Sequence, residues 1–316
     1  MSVQQEDVSD YERPFYHDGI KIGGFTVSQD GLWGGLAVLP VLFLYLLIAV
    51  VPILFAFYVS FHDVPATKPA YEFIGLQNYS EVLSTDRFWA ALWRGVVFMI
   101  GSTVIQTTVG IWMALIVNNI SRGERALSTL IFTAYLTPTV IVSLLATFML
   151  DTQVGVLHQW GASLGLWDGR LLGDPDLAMW ALVAISSWKF SVFVTLFTLA
   201  QLRSIPERFY EAAKVCGATT WEMFRDITLQ RIKGVLLIAI LLRSIFMFNK
   251  FDIIMQLTGG GPGKATETLP IYAYEVLVTA SRYGLANTIA IVMFAFLAAG
   301  AIGYFIAFNP SQEADV

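Results

Sequence analysis

Six long apolar runs dominate this sequence and leave it few ways to fold. They occupy residues 33–60, 91–117, 127–150, 177–201, 235–255 and 285–308. A helix that crosses a bilayer needs about 20 consecutive, mostly apolar residues, and each run is long enough. A backbone in hydrocarbon must satisfy its own polar groups, which leaves helices or closed barrels. A barrel alternates apolar and polar residues along short segments, whereas these runs are solidly apolar. The spacing therefore predicts an all-α integral membrane protein with six transmembrane helices. Composition agrees: the chain is 56% hydrophobic and 14% charged, where soluble domains carry about 25% charge. Its mean hydropathy is +0.64. These values exclude a soluble globular enzyme, a disordered chain and a coiled coil. The 19 Lys and Arg against 24 Asp and Glu supply no basic face, so nucleic acid is excluded as a partner. The lone Cys216 excludes an intrachain disulfide and a cysteine zinc site. His17, His62 and His158 are scattered over tail and loops, so no metal site is expected.

The runs divide the chain into a tail (1–30), a membrane body (31–310) and a second tail (311–316). The first run starts after 32 residues with no small-residue cleavage site before it, so it reads as a retained span, not a signal peptide. Lys and Arg set the orientation. With the N-terminus inside the cell, inner segments hold ten of them and outer loops five, leaving four in or at the ends of spans. Both termini are expected in the cytoplasm of a multi-pass cell-membrane protein. The first tail carries six acids against two basic residues and has no apolar period; both tails read as solvated. The pI of 5.2 suits either a high-salt cytoplasm or an incidentally acidic tail. Pro40, Pro52 and Pro138 lie inside runs and predict kinks. Asp174-Pro175-Asp176 reads as a turn, and Trp160, Trp167 and Trp180 as an interfacial belt.

The connection 202–234, inside the cell in this orientation, is far longer than the usual 2–8 residues. Two short helices can be parsed from it. Ser204, Pro206 and Glu207 give a capping-box pattern for the first, and Gly217 a left-handed stop. Thr219 and Glu222 give the same box for the second, whose apolar stripe is Met223, Phe224, Ile227 and Leu229. Such a pair suits docking into a partner's groove or, equally, lying on the headgroups. The run Glu211-Ala212-Ala213, three residues, Gly217, nine residues, Ile227-Thr228-Leu229 resembles the EAA motif in permease subunits of binding-protein-dependent ABC importers. In that family a proline closes the motif; Gln230 stands there instead.

A second stretch resembles the carbohydrate branch of that family, the maltose-type and glycerol-phosphate-type permeases. It runs from Phe251-Asp252 through Thr258-Gly259-Gly260-Gly261-Pro262 and Thr266-Glu267-Thr268-Leu269-Pro270 to Tyr272-Ala273-Tyr274-Glu275, and Gly75-Leu76-Gln77-Asn78-Tyr79 also fits. The glycine run is not a phosphate-cradling loop. Gly263-Lys264 precedes Ala265 where Ser or Thr is needed, and no strand leads into it. A tight turn at the outer face is expected.

Three charges inside spans need explaining, because a Lys or Arg at a helix centre costs about 2.5–3.5 kcal/mol. Lys189 lies in the fourth run, Arg243 in the fifth, and Lys250 beside Asp252 further along. Arg243, Met247 and Lys250 share one helical face, as do Lys189, Phe190 and Phe193. Lys250 and Asp252 also suit snorkelling or a local ion pair, and Phe190 and Phe193 a plain packed core. Hydrogen-bond donors beside an aromatic plate suit a sugar. In the maltose-type permease the sugar is held mid-membrane by these two spans, and the resemblance brings its contact positions onto Lys189, Phe190, Phe193, Arg243, Met247 and Lys250.

The resemblance implies a type I ABC importer permease fold and a sugar-transporting subunit that pairs with a second, homologous permease. It implies a soluble binding protein outside the cell and two ABC ATPase subunits holding ATP and Mg2+. This chain then binds no cofactor and is no enzyme. Glu207, Glu211, Ala212, Ala213, Gly217, Ile227 and Leu229 are the expected ATPase-coupling residues. Two rivals are an ion-gradient-driven secondary transporter, which predicts inverted repeats and ionisable relays, and an intramembrane enzyme, which needs paired acids or His within spans. Neither signature is visible.

Overall fold

A computed structural model describes residues 20–22, 25–27, 29–65, 71–120, 122–165, 167 and 170–308, and side chains from residue 36 onward. Most of the first tail, all of the second, Lys68 and His17 lie outside the described residues. The described residues form two compact units, divided between Tyr58 and Val59. The first holds a short hairpin, β1 (Ile20–Ile22) with β2 (Phe25–Val27), then α1 (Gln29–Tyr45). A π-helical turn over Leu46–Val50 leads into α2 (Val51–Ser60). Pro40 sits within α1. Pro52 lacks an amide for the preceding turn, and the chain widens to π pitch just before it.

The second unit begins with a two-residue ladder, β3 (His62–Asp63) against β4 (Glu72–Phe73), followed by α3 (Gln77–Ser84) and α4 (Asp86–Asn119). Next come α5 (Glu124–Leu136), α6 (Thr139–Met149), α7 (Val156–Ser163) and α8 (Ala178–Ser204). The connection then forms α9 (Arg208–Val215) and α10 (Thr220–Met223). A π turn over Phe224–Thr228 runs straight into α11 (Leu229–Phe248), followed by α12 (Asp252–Leu257), α13 (Leu269–Val278) and α14 (Tyr283–Phe308).

All six apolar runs fold as helix, but two boundaries differ from expectation. Among the described residues, four helices are individually long and apolar enough to cross, Leu36–Ser60, Asp86–Asn119, Ala178–Ser204 and Tyr283–Phe308, or five spans if one bent pair counts as a span, against the six expected. The third run is a broken pair, α5 and α6, bent by 94°. Pro138 directly follows the C-cap residue Thr137 and cannot donate, so the break is much sharper than a kink. The fifth run begins earlier, at Leu229, and stops at Phe248 rather than 255. Asp252 then starts a separate helix, where a carboxylate meets free amides.

Helix α4 packs along α8 in parallel, with Gly110 at the crossing. A Cβ there would come within 2.6 Å of Val194 Cβ, so glycine is what lets the backbones approach. Three apolar clusters line the bundle. One, around Phe88, Phe248, Tyr272 and Ile289, lies toward the end that carries β3, α3 and the glycine-rich turn. A middle one holds Phe98, Leu182, Phe190, Met247 and Ile254. The third, with Ala114, Val194, Leu202, Ile232 and Leu236, lies at the end carrying α9.

At the first end, Arg87 donates to Glu267 Oε2 at 3.0 Å and pairs with Glu275, and its guanidinium lies 4.4 Å over the Tyr272 ring. Glu267, 2% exposed, thereby anchors the glycine-rich turn. That turn closes on itself, with Thr258 Oγ1 and Thr266 Oγ1 2.7 Å apart and Thr266 donating to the Gly261 carbonyl at 2.6 Å. Asn78 donates to the carbonyls of Ser60 (2.9 Å) and His62 (3.1 Å).

Candidate functional site: a cationic cavity and a projecting loop

A cavity of about 460 Å³ opens where α11 stops, between α8, the α5–α6 bend and the start of α12. Phe190, Met247 and Phe251 supply apolar wall; Tyr135 and Asn249 supply polar groups; Arg243, Lys250 and Asp252 bring charge. Four of the six expected pathway residues, Phe190, Arg243, Met247 and Lys250, line it.

Lys189, 3% exposed, sits beside it and reaches the bend. Its Nζ donates to the carbonyls of Tyr135 (3.4 Å) and Thr137 (2.5 Å). The turn at Pro138 withdraws the amides that would serve those carbonyls, and an ammonium replaces them at a helix C-terminus, where the dipole favours a cation. Phe193 stands back from the cavity. It packs on Phe197, 4.7 Å between centroids, and under the Arg243 guanidinium at 5.4 Å.

Arg243, also 3% exposed, donates through Nε to Gln106 Oε1 at 2.7 Å. Gln106 in turn reaches Met247 Sδ at 3.3 Å. Arg243 Nη2 is buried with no hydrogen-bond partner among the described residues. Lys250 pairs with Asp252 at 2.9 Å. Sequence reasoning missed Gln106 and Tyr135. A lone amide in an apolar run was the available signal for Gln106. For Tyr135 there was none, since only the bend brings it here.

At the other end the loop takes a defined shape. Ser204 does not cap α9. Helix α8 runs through it, its hydroxyl donates back to the Gln201 carbonyl (2.8 Å), and Glu207 is the N-cap residue without a side-chain cap bond. Gly217 does stop α9, at φ +79°. The Ala218 amide donates to Ala213 O (2.9 Å) and the Gly217 amide to Lys214 O (3.0 Å), the paired bonds of a Schellman cap. The Thr219–Glu222 box forms in both directions. These bonds hold the Glu222 carboxyl below the ordinary carboxylate range.

The expected second short helix, however, does not end at Leu229. It passes through the π turn into α11 without a break, because Gln230, unlike proline, keeps its amide in the helix. The loop is fixed to the bundle from below. Phe209, Tyr210 and Ile227 pack on the third cluster, Tyr210 Oη lies 3.0 Å from Thr228 Oγ1, and Arg231 covers the Phe209 ring at 4.8 Å. Arg203 pairs with Glu124 beside it. Val215 (89% exposed) and Trp221 (66%) point away from the subunit.

Residues 106–309 match the model of the family described as binding-protein-dependent transport system inner membrane component. The chain belongs to that family. The permease is 35% identical over 276 residues to the trehalose/maltose transport system permease protein MalF of Thermococcus litoralis, covering 87% of this chain and 93% of the relative. Its fold also matches a solved bacterial ABC transporter involved in import of the acidic polysaccharide alginate. The TM-score there is 0.75 at 23% identity, over 91% of the permease and 96% of that chain. The alginate transporter in complex with its alginate pentasaccharide-bound periplasmic protein gives 0.74 at 22%, over 87% and 93%. The permease thus has the type I importer fold and is a multi-pass transport component.

Proposed function

We propose that this permease forms one half of a sugar-importing pore and works by alternating access. A second, homologous permease completes the pore, a solute-binding protein delivers a mono- or oligosaccharide, and two ABC ATPase subunits bind ATP and Mg2+. The observation that carries this reading is the meeting of cationic and aromatic side chains from α8 and α11 at one mid-bundle cavity. The 35% identity to a trehalose/maltose permease supports a saccharide as cargo. The sugar's path runs past Lys189, Phe190, Phe193, Arg243, Met247 and Lys250.

The ATPases grip the 207–229 loop, with both chain termini on the same, cytoplasmic side. The exposed Val215 and Trp221 support that role, since a loop anchored beneath and apolar above suits a partner's groove. Glu211 and Gly217 shape the loop, and Glu207, Ala212, Ala213, Ile227 and Leu229 complete it. ATP drives transport only insofar as it binds one pore state better than the other.

The test is reconstitution. The complete assembly should take up sugar with ATP; Glu211→Lys and Gly217→Val should insert normally but lose uptake and ATPase stimulation. Uptake by this chain alone, without ATPases, would overturn the reading.

A further inference from the structure

Phe190 stands at the centre of an arrangement that a neutral saccharide does not require. Three cations converge on its ring: Lys250 Nζ at 4.2 Å from the centroid, Arg243 Cζ at 5.1 Å and Lys189 Nζ at 5.3 Å. Against them the cavity offers one carboxylate, Asp252, already held by Lys250. Arg243 is hydrogen-bonded only to the neutral Gln106 amide and otherwise faces the rings of Phe190, Phe193 and Phe246, and its Nη2 is buried without an acceptor among the described residues. Lys189 is hydrogen-bonded to two neutral carbonyls and shares the Asp252 charge with Lys250. Among the described residues, one carboxylate stands against three cations, and Arg243 has no acid to answer it.

Like charges gathered away from water repel, and a buried guanidinium without an anion is costly to hold. Sugar hydroxyls could be bound by Asn, Gln or Tyr at no such cost. A guanidinium finds its strongest partner in a carboxylate, through charge-assisted and often paired bonds.

We propose that the cavity selects an acidic saccharide carrying a carboxylate, with Arg243 as the group that binds the acid. Lys189 and Lys250 supply the surrounding positive field, and Phe190 and Met247 receive the ring's C–H face. This rests on the reading that the sugar passes through the cavity, and it adds the sugar's charge.

The test uses the complete importer in lipid nanodiscs without its binding protein, titrated with trigalacturonate and with maltotriose. These are an acidic and a neutral trisaccharide of similar size. Trigalacturonate should bind about tenfold tighter at low salt, with the preference shrinking as salt rises. Arg243→Gln should weaken trigalacturonate about tenfold and leave maltotriose within about threefold, while Arg243→Lys retains part of the preference. If wild type binds maltotriose as well or better, and Phe190→Ala weakens it, the cavity stays on the path and the charge assignment falls. If neither Arg243→Gln nor Phe190→Ala alters either probe, the path itself is misplaced. Should Arg243→Gln not assemble, Lys250→Gln is titrated instead; a reduced preference supports the assignment and an unchanged one overturns it.

Discussion

A charge survives in a span when something nearby needs it. Lys189 does so by serving the two carbonyls that the Pro138 bend leaves without amides. Lys189→Met removes that service from a buried site, so it is expected to destabilise the subunit by about 1–3 kcal/mol. Thermal unfolding in detergent reads this as a fall in Tm, and an unchanged Tm would show that the carbonyls do not depend on the ammonium. Gln106 is the complementary case. Gln106→Leu strips Arg243 of the acceptor for its Nε, again at about 1–3 kcal/mol. Gln106→Glu does the opposite and gives the guanidinium an internal counter-ion. That variant should be at least as stable as wild type, while its affinity for trigalacturonate should fall about tenfold through competition for the same cation. Equal affinity in titration would mean that Arg243 does not meet the ligand.

Local chemistry was readable in the sequence at the element scale wherever it stayed local. Thr219 and Glu222 are three residues apart and nothing else competes for them, so their box forms as read. Gly217 likewise takes the left-handed cap, and the space where a Cβ would stand is open to 4 Å. Gly217→Val therefore costs about 1–2 kcal/mol from backbone conformation alone, and Gly217→Asn should be markedly milder in the same unfolding assay. Ser204 failed as a cap because the apolar helix behind it runs on through it, a tertiary preference that local pattern cannot see. The stop at Phe248 had no proline to mark it. Its only trace was the polar group Asn249, Lys250 and Asp252, which suits a span's edge as well as its interruption. Continuity at Gln230 is testable directly: Gln230→Pro removes a helical amide and should cost about 3 kcal/mol. A variant as stable as wild type would show that α11 does not rely on that turn. Charge also pins elements outside the membrane. Arg282 donates to Glu81 at 2.5 and 2.7 Å and holds that carboxyl below its ordinary range. A depressed folded-state value means the stabilisation is complete above the unfolded value and fades as pH falls through the folded one. Acid should thus loosen the α3–α14 junction, and Arg282→Gln should remove that component of the pH dependence of Tm.

For the whole molecule, periodicity and charge carried the class, because they are properties of single spans, and the family resemblance pointed to four of the residues that line the cavity. The sequence could not carry the cavity itself, which exists only where the α5–α6 bend, α8 and the end of α11 meet. At this scale the decisive measurement is cooperative. Trigalacturonate occupying the cavity should change the ATPase rate of the assembled importer, and Gly217→Val should abolish that change while leaving equilibrium binding within about threefold. Persistence of the response in that variant would separate the loop from the coupling. The feature that would carry such communication is the unbroken run from α10 through the π turn into α11. Trp221 and Arg243 are 22 positions apart on it, about 33 Å at the usual helical rise. A tilt of about 10° at the Trp221 end swings the far end through about 6 Å over that length. With the loop gripped and the sugar seated as proposed, the permease works as a crankshaft rather than a relay: the angle of the outer knob and the shape of the solute's resting place become a single mechanical coordinate.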